Sequence, residues 1–193
     1  EGAMPIEVFG AHNLNNLAGA KWICQNMGVD EADFYEAIAS FKGASKRLEK
    51  IAENKNNVAY KDFAHSPSKV AATTKAVKEQ YPDRQLIACL ELHTYSSLNA
   101  EFLKEYEGAL DNADVAVVFY SPDAVKIKQL EEVSYEQIAK AFNREDLVIY
   151  TNPAAFKEYL YHLKFDTEKI ALLLMSSGNY GGLNFDEVKT LFN

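Results

Sequence analysis

From residue 57 onwards, short apolar runs alternate with stretches of helical spacing, and this alternation restricts the fold more than any other feature. The predicted strands are NVAYKDFA, QLIACLEL, VAVVFY, DLVIYT and KIALLLMSS. The predicted helices are SKVAATTKAVKEQY, NAEFLKEYEGALDN, SYEQIAKAFN, PAAFKEYLYHL and NFDEVKTLF. Continuous apolar strands are typical of a sheet covered on both faces, and strand–helix alternation implies right-handed crossovers. The pattern therefore predicts an α/β domain with a doubly wound, mostly parallel sheet.

The residues before position 57 follow a different pattern. PIEVFG predicts a short strand that ends at Gly10, and two helices follow, one closed by Gly28 and one that begins at Asp30 and stops at Gly43. We expect residues 1–43 to be the helical remnant of a neighbouring domain, residues 44–56 a polar connector and residues 57–193 the α/β domain. Because the chain has no initiator Met and begins just before an apolar segment, we expect a fragment of a longer polypeptide.

Composition narrows the class of protein. The net charge is −8 and no Lys/Arg run is longer than two, which argues against a nucleic-acid surface. Cys24 and Cys89 lie in apolar contexts and are predicted to be buried free thiols, as in a reducing compartment. No apolar run reaches the roughly 18 residues that span a bilayer, and the N-terminus has no signal-peptide pattern. We therefore expect no membrane or nucleic-acid partner.

Polar segments follow the predicted strands: DFAHSPS, ELHTYSSLN, FYSPDA, YTNPA and MSSGNYGGLN. In an open α/β sheet, ligands bind at the carboxyl ends of the strands. Each segment by itself also has the composition of an ordinary turn between a strand and a helix. His65 and His93 lie at matching strand ends, however, and so favour a shared cleft there, whereas His162 fits a helix face.

No complete catalytic signature occurs in the sequence. The phosphate loop GxxxxGK[ST], GxGxxG and GxSxG are all missing. The SSGNYGGL segment could offer backbone N–H groups to an anion or simply turn tightly. A hydrolase built from Ser66 or Ser96 with His65 or His93 stays open, although nothing in the spacing favours it. The residues alone therefore predict an α/β domain with a polar cleft, which would be one part of a larger enzyme.

Four motifs, in order along the chain, resemble those of the Mur ligase family. GAHNLNN resembles the G-x-H-N-x-x-N segment near the end of the family's central ATPase domain, and FKGASKRLE its F-x-G-x-x-x-R-x-E connector. KDFAHSP resembles the D-[YF]-[AG]-H-x-P motif that opens the Rossmann-like C-terminal domain, and ELHTYSSL the P-H-x-Y-[ST] stretch. LLLMSSGNYGGL is similar to the M-S-[NS]-G-x-[FY]-G-G segment of the branch that attaches a murein tripeptide to UDP-N-acetylmuramate.

The resemblance implies that one side of the cleft binds ATP. Six side chains match the family's nucleotide-binding positions: His12, Asn13, Asn16, Arg47, Asp62 and His65. Arg47 would meet phosphate, Asp62 would accept hydrogen bonds from the ribose hydroxyls, and His65, next to the nucleotide, is the single candidate for a catalytic role. Two structural alternatives stay open, in which Asp62 and Ser66 only cap the following helix and the two asparagines only begin an earlier one.

The other side of the cleft would bind the incoming amine. Six side chains are expected there: His93, Tyr95, Ser176, Ser177, Asn179 and Tyr180. Thr94 and Ser97 stand where the alanine-adding ligases of the family usually carry arginines. An L-alanine carboxylate would therefore lose its bidentate cationic partner, which favours the tripeptide branch.

The chemistry implied by the resemblance is ADP-forming amide synthesis. ATP phosphorylates the sugar carboxylate, an amine attacks the acyl phosphate, and catalysis depends on positioning and on charge stabilisation by Mg²⁺ and cations. Because this sequence has no phosphate loop, we expect the missing central domain to bind most of the ATP and Mg²⁺, and the fragment to be inactive alone. The implied partners are UDP-N-acetylmuramate, the murein tripeptide, and the N-terminal and central domains of the same cytoplasmic polypeptide. An L-alanine ligase and a non-catalytic α/β ligand-binding module stay open as alternatives.

Overall fold

The computed structural model describes residues 4–131 and 133–192, so residues 1–3, 132 and 193 of the predicted units lie outside the described residues. The strands are β1 (Glu49–Glu53), β2 (Val58–Asp62), β3 (Gln85–Glu91), β4 (Val115–Phe119), β5 (Val148–Tyr150) and β6 (Ile170–Met175). The helices are α1 (Ala11–Asn26), α2 (Glu31–Ala39), α3 (Pro67–Gln80), α4 (Pro122–Ile127), α5 (Tyr135–Phe142), α6 (Pro153–Tyr161) and α7 (Phe185–Thr190), with a 3₁₀ helix at Phe102–Tyr106.

The strands form one six-stranded sheet with the order β1-β2-β6-β3-β4-β5. β1 is antiparallel to β2, and the other neighbouring pairs are parallel. Asp62 and Leu90 both pair with Met175 in the strand between them. Glu91 pairs with Phe119, so the carboxyl ends of β2, β6, β3 and β4 lie along one edge. The predicted mostly parallel sheet is confirmed, and the five strands predicted from residue 57 onwards are all present.

Helices cover both faces of this sheet, because its central strands are apolar on both sides. In β3, Leu86, Ala88 and Leu90 pack into a cluster with α3, the 3₁₀ helix, α4 and α5. Ile87 and Cys89 of the same strand pack into a second cluster with α6 and α7 on the opposite face. The doubly wound arrangement is therefore confirmed.

The predicted connector contains a strand that the sequence interpretation missed. β1 lies within residues 44–56 and buries only Ile51 of its five residues. Its charged positions form ion pairs at the surface, Glu49 with Lys61 of β2 and Lys50 with Glu53. Charged side chains are common on an edge strand, where one face and one side meet solvent, and they conceal the alternating pattern.

Two other predicted elements differ from the structure, and one helix was not predicted. PIEVFG forms no strand over its residues 5–10, because no described strand lies beside it to accept its backbone hydrogen bonds. Phe9 instead packs edge-on against the rings of Tyr60 and Tyr81. The predicted helix at 99–112 contains only the 3₁₀ helix followed by turns, and α4 was not predicted.

The two predicted N-terminal helices are present as α1 and α2. Asp30 caps α2 by accepting hydrogen bonds from the N–H groups of Ala32 and Asp33. No residue of α1 is fully buried, and Trp22 is 68% exposed. Cys24 is therefore only partly buried, whereas Cys89 is fully buried and its burial raises the pKa of its thiol. Among the described helices, none is both long and apolar enough to cross a membrane.

Candidate functional site

The predicted cleft lies at the edge where β2, β6 and β3 end side by side. The backbone N–H of Ser176, just after β6, donates a hydrogen bond of 2.9 Å to the carbonyl oxygen of Asp62 at the end of β2. Glu91 ends the neighbouring β3, and its carboxyl group accepts a hydrogen bond from the hydroxyl of Ser176. Three polar residues from separate parts of the sequence thus adjoin one another, as expected for the carboxyl ends of parallel strands.

A cavity of about 730 Å³ lies between α1, the start of α3 and the connector. Five of the six predicted nucleotide-binding residues line it: His12, Asn13, Asn16, Arg47 and Asp62. Its volume is within the range of about 300–1,000 Å³ that is usual for small-molecule sites. The sequence motifs therefore bring together residues 50 positions apart at one concave surface.

Asp62 is a structural centre as well as a wall of this cavity. It is only 8% exposed, and its two carboxylate oxygens accept hydrogen bonds from the backbone N–H groups of Leu48 and of Ala64, the latter at 2.6 Å. Each oxygen has a second lone pair, so the carboxylate can still accept from a ligand hydroxyl. Ser66 is the N-cap of α3 but makes no side-chain capping bond, so the alternative that these two side chains only cap the helix is wrong.

Two cationic side chains line the first cavity together with Asp62. Arg47 is exposed, and its guanidinium lies 5.4 Å from the centre of the Phe63 ring. Lys69 and Thr73 of α3 line the same cavity and were missed by the sequence interpretation. The signal that could have found Lys69 is a cation in the first turn of a helix, where the helix dipole disfavours positive charge unless an anion is near.

The two N-terminal motif residues differ in their availability. The Nδ1 atom of His12 is buried and has no hydrogen-bond partner in the described part of the chain. A buried ring nitrogen without a partner is costly, so a ligand that reached it would gain a favourable contact. Asn13 instead donates a hydrogen bond of 2.9 Å to the carbonyl oxygen of Phe9 and fixes the entry into α1. Asn13 lies in the first turn of α1, whose N-cap is Gly10, so the alternative in which it helps to begin the helix agrees with the structure, whereas Asn16 lies farther along α1.

His65, the sixth predicted nucleotide-binding residue, does not line this cavity. Its Nδ1 atom is 2.8 Å from the carbonyl oxygen of Phe63, and the two rings meet edge-on. Its own carbonyl accepts a hydrogen bond from the hydroxyl of Tyr106. These contacts hold the residue just before the start of α3.

A second cavity, of about 380 Å³, lies on the other side of Asp62. Ser176 and Asn179 line it, which places two of the six predicted amine-side residues there. Lys46 and Lys61 border it as well, and both were missed by the sequence interpretation. Because Asp62 lines both cavities, a ligand in one would lie next to a ligand in the other.

The other predicted amine-side residues lie outside this second cavity. The hydroxyl of Ser177 is buried without a partner among the described residues. His93 lies beside the loop, with its Nδ1 atom 3.6 Å from an oxygen of Glu91. Tyr95 is 63% exposed, and the Lys128 ammonium lies 4.5 Å from the centre of its ring. None of these three side chains lines the second cavity.

Tyr180 is part of the core, and the prediction that its side chain binds substrate is wrong. It is 1% exposed, and its ring stacks on that of Phe156 at 4.9 Å. Its hydroxyl donates to the carbonyl oxygens of Cys89 and Met175, at 2.8 and 2.9 Å. Burial raises the pKa of this phenol well above its ordinary value. The apolar surface of α6 thus holds the ring away from the cleft.

The described residues do not form two other kinds of site. Among the described residues, no hydrogen bond joins Ser66 or Ser96 to His65 or His93, so neither serine forms a serine–histidine pair in this structure. No group of three or more His, Cys, Asp or Glu side chains among them has the arrangement of a metal site.

Comparison with protein families and curated proteins identifies related sequences. A family model described as "Mur ligase, glutamate ligase domain" matches residues 46–178. The bifunctional enzyme MurC/Ddl of Chlamydia trachomatis is 29% identical over 161 residues, which cover 82% of this chain and 19% of that protein. A UDP-N-acetylmuramate–L-alanine ligase of Gloeothece citriformis is 32% identical over 158 residues, covering 79% of this chain and 31% of that protein. The chain thus spans about a fifth to a third of these relatives.

Solved structures with the same fold cover nearly the whole chain. A UDP-N-acetylmuramate–alanine ligase of Thermotoga maritima has a TM-score of 0.68 at 19% identity and covers 98% of this chain and 38% of its own. A murein peptide ligase of Psychrobacter arcticus has a TM-score of 0.65 at 21% identity and covers 98% of this chain and 39% of its own. At these identities the likeness shows a shared fold.

Proposed function

The chain belongs to the Mur ligase family, as its glutamate ligase domain, and from this premise we propose that it is the C-terminal part of an ATP-dependent, ADP-forming ligase that joins a murein tripeptide to UDP-N-acetylmuramate. The complete protein would act in the cytoplasm, in peptidoglycan recycling. Its N-terminal and central domains would bind the UDP-sugar, most of the ATP and the Mg²⁺.

One observation carries this proposal: five residues chosen for their resemblance to nucleotide-binding motifs line one cavity. In the proposed complex Arg47 and Lys69 meet nucleotide phosphates, and Asp62 accepts hydrogen bonds from the ribose. The orphaned Nδ1 atom of His12 gains a partner on the base side. A guanidinium fork and an ammonium suit phosphate oxygens, and a carboxylate after a strand suits ribose hydroxyls.

The second cavity supports the assignment of the amine side. Lys46 and Lys61 can attract the carboxylates of a peptide, and Ser176 and Asn179 can form hydrogen bonds with its amides. Since Asp62 lies between the two cavities, an amine bound in the second would be next to the nucleotide in the first. Proximity of this kind is the main catalytic contribution that such a domain can make.

The choice of tripeptide over L-alanine depends on the turn after β3. Thr94 and Ser97, where the alanine-adding ligases usually have arginines, hydrogen-bond to each other in a closed turn and offer no positive charge. L-Alanine has its carboxylate next to the reacting amine, whereas a tripeptide carries its carboxylates farther away. The rival proposal, an L-alanine ligase, has its own support, because several of the curated relatives bear that name.

Amine profiling of the full-length protein tests the proposal. ADP release is measured with UDP-N-acetylmuramate, ATP and Mg²⁺, and with either L-alanine or L-Ala-γ-D-Glu-diaminopimelate as the amine. We expect kcat/KM for the tripeptide to exceed that for L-alanine at least roughly 10-fold, about 1.4 kcal/mol. A preference for L-alanine would support the rival ligase. Ligand binding without ADP release for either amine would instead indicate a non-catalytic binding module.

A further inference from the structure

Glu91 is a buried carboxyl group that sequence reasoning gives no role. It ends β3, is 3% exposed and lines neither cavity. No Lys or Arg among the described residues forms an ion pair with it. A buried carboxyl group is costly unless its oxygens are hydrogen-bonded, so its partners show what it stabilises.

Those partners belong to the loop that follows β6. One oxygen, Oε2, accepts hydrogen bonds from the hydroxyl of Ser176 and from the backbone N–H of Tyr180, the latter at 2.8 Å. The backbone N–H of Gly178 donates to the Ser176 hydroxyl at 2.7 Å. Ser176 and Tyr180 are thus bonded directly to a single oxygen atom, and Gly178 is linked to it through Ser176. Hydrogen bonds in such a network polarise one another.

The loop needs such support because its backbone is strained. Tyr180 has a φ of +53°, a conformation that bulky residues rarely adopt, and Gly181 and Gly182 continue in the same region. Asn179, which lines the second cavity, lies within this constrained stretch. Its position therefore depends on the bonds that Glu91 makes on either side of it.

The second oxygen of Glu91 faces the other wall of the loop. Oε1 is 3.6 Å from the Nδ1 atom of His93, and a Cβ atom added to Gly178 would lie 3.0 Å from the His93 ring. The imidazole and the loop therefore pack directly against each other on opposite oxygens of one carboxyl group. A substitution of Glu91 would therefore remove contacts from both the His93 imidazole and the loop.

We propose that Glu91 is the positioning residue of the amine site: it holds the 176–180 loop and the His93 ring in the arrangement that receives the amine substrate. The identity of the ligand in this inference rests on the proposed function. The positioning of the loop by Glu91 does not depend on it. Glu91 acts through Ser176, Asn179 and His93 and does not itself touch substrate.

The test uses Glu91→Ala and Glu91→Gln in the full-length protein, with Glu79→Gln as the control. Glu79 is an exposed carboxylate on α3, paired with Lys75 at the surface. Gln has the same shape as Glu and keeps one acceptor oxygen, so we expect it to keep part of the network. If Glu91→Ala does not fold, Glu91→Gln carries the test.

Hydrogen exchange of the backbone amides is the first measurement. Glu91→Ala should speed exchange in the 176–182 segment by roughly 10-fold or more, while the amides of β3 and β6 keep their wild-type rates. Steady-state kinetics is the second. KM for the tripeptide should rise by roughly 10-fold or more in Glu91→Ala and less in Glu91→Gln, with KM for ATP within about twofold of wild type.

Two results would overturn the proposal. Unchanged exchange in the loop, or faster exchange throughout the sheet, would show that Glu91 does not position the loop specifically. Equal rises in the two KM values would show that the loop does not serve the amine. If the wild-type protein formed no amide with any amine, the proposed function would fail, and exchange would still decide whether Glu91 holds the loop.

Discussion

The carboxylate of Asp62 accepts a hydrogen bond from the backbone N–H of Leu48, and this contact joins the connector to the edge of the sheet where the candidate site lies. The second oxygen of Asp62 accepts from the N–H of Ala64. The same side chain lines both cavities. Asp62 therefore couples the local fold of the connector to the site where the two proposed substrates meet.

Replacement of Asp62 should affect both stability and nucleotide binding. Asp62→Ala leaves two backbone N–H groups without their acceptor, so we expect the free energy of unfolding to fall by about 1–3 kcal/mol. If Asp62 also binds ribose, KM for ATP should rise by roughly 10- to 150-fold. Asp62→Asn keeps one carbonyl oxygen and should show smaller changes. Urea unfolding and steady-state kinetics of the full-length protein measure the two effects.

Asp123→Asn is the matched control for this series, because Asp123 is exposed on α4. It should leave both quantities at their wild-type values. A stable Asp62→Ala variant would contradict the structural role, and an unchanged KM for ATP would contradict the nucleotide role.

Arg47 should matter for nucleotide binding and not for the fold. Its side chain is exposed, contacts the Phe63 ring and forms no ion pair among the described residues. Arg47→Ala should raise KM for ATP roughly 10-fold or more, with unfolding free energy within about 0.5 kcal/mol of wild type. Arg47→Lys should recover only part of the loss, because an ammonium lacks the planar fork of a guanidinium. Exposed Lys55→Ala is the control; an Arg47→Lys variant equal to wild type would argue against a bidentate phosphate contact.

Two glycines provide a matched pair for testing the amine-side loop. A Cβ atom at Gly178 would lie 2.9 Å from Oε2 of Glu91, whereas a Cβ atom at Gly19 would meet nothing within 4 Å. Gly178→Ala should therefore displace the loop, raise KM for the amine and destabilise the protein by about 1–3 kcal/mol. Gly19→Ala should stabilise α1 by about 0.5–1 kcal/mol without changing either KM. Equal behaviour of the two variants would contradict the close approach at Gly178.

The sequence predicts the parallel sheet well because its strands are apolar on both faces, as in β3. The prediction from sequence fails where contacts with neighbouring elements determine the local structure. Ile51 is the single fully buried residue of β1, so the charged letters around it conceal an edge strand. Phe9 lies in a segment with a strand-like composition, but no described strand pairs with it, and the contact with Tyr60 decides its conformation.

In the candidate site, likewise, the sequence identifies residues that lie in short motifs but not residues whose role depends on contacts with distant parts of the chain. Arg47 and Asp62 lie in short motifs, so a reader of the sequence can select them. Glu91 is 85 residues from its partner Ser176 and reads as an ordinary strand residue. Tyr180 lies within a glycine-rich segment, and packing against Phe156 and Phe119 places its ring in the core.

Asp114 should make the stability of the sheet depend on acid pH. Burial alone would raise the pKa of its carboxyl group, but hydrogen bonds from the Lys78 ammonium and the Leu86 N–H outweigh burial and lower that pKa below its ordinary value. A lowered folded-state pKa gives stability that is present above the unfolded-state pKa and is lost as pH falls through the folded-state pKa. Because the side chain is 41% exposed, we expect about 1 kcal/mol.

Urea unfolding at pH 7, 5 and 3 measures this contribution. Asp114→Asn should be less stable than wild type at neutral pH, and the difference should shrink as the pH falls to 3 and below. Exposed Asp166→Asn gives the background effect of losing one carboxylate. A difference that grows towards acid pH would contradict the sign of the argument.

Tyr180→Phe separates a core role from a substrate role for the loop's aromatic residue. The phenol hydroxyl donates to buried carbonyl oxygens of Cys89 and Met175, and its removal should lower the free energy of unfolding by about 1–2 kcal/mol. The stacked contact with Phe156 is kept, because Phe has the same ring. Since the hydroxyl faces away from the second cavity, KM for the amine should stay within about twofold of wild type.

Tyr161→Phe is the control for loss of one phenol hydroxyl, because Tyr161 is 45% exposed and its hydroxyl is 3.3 Å from Glu187 at the surface. It should change unfolding free energy by less than about 0.5 kcal/mol. A large rise in KM for the amine with unchanged stability in Tyr180→Phe would restore the phenol to the substrate site. Lower stability with an unchanged KM would show that the phenol hydroxyl stabilises the core and is not needed for amine binding.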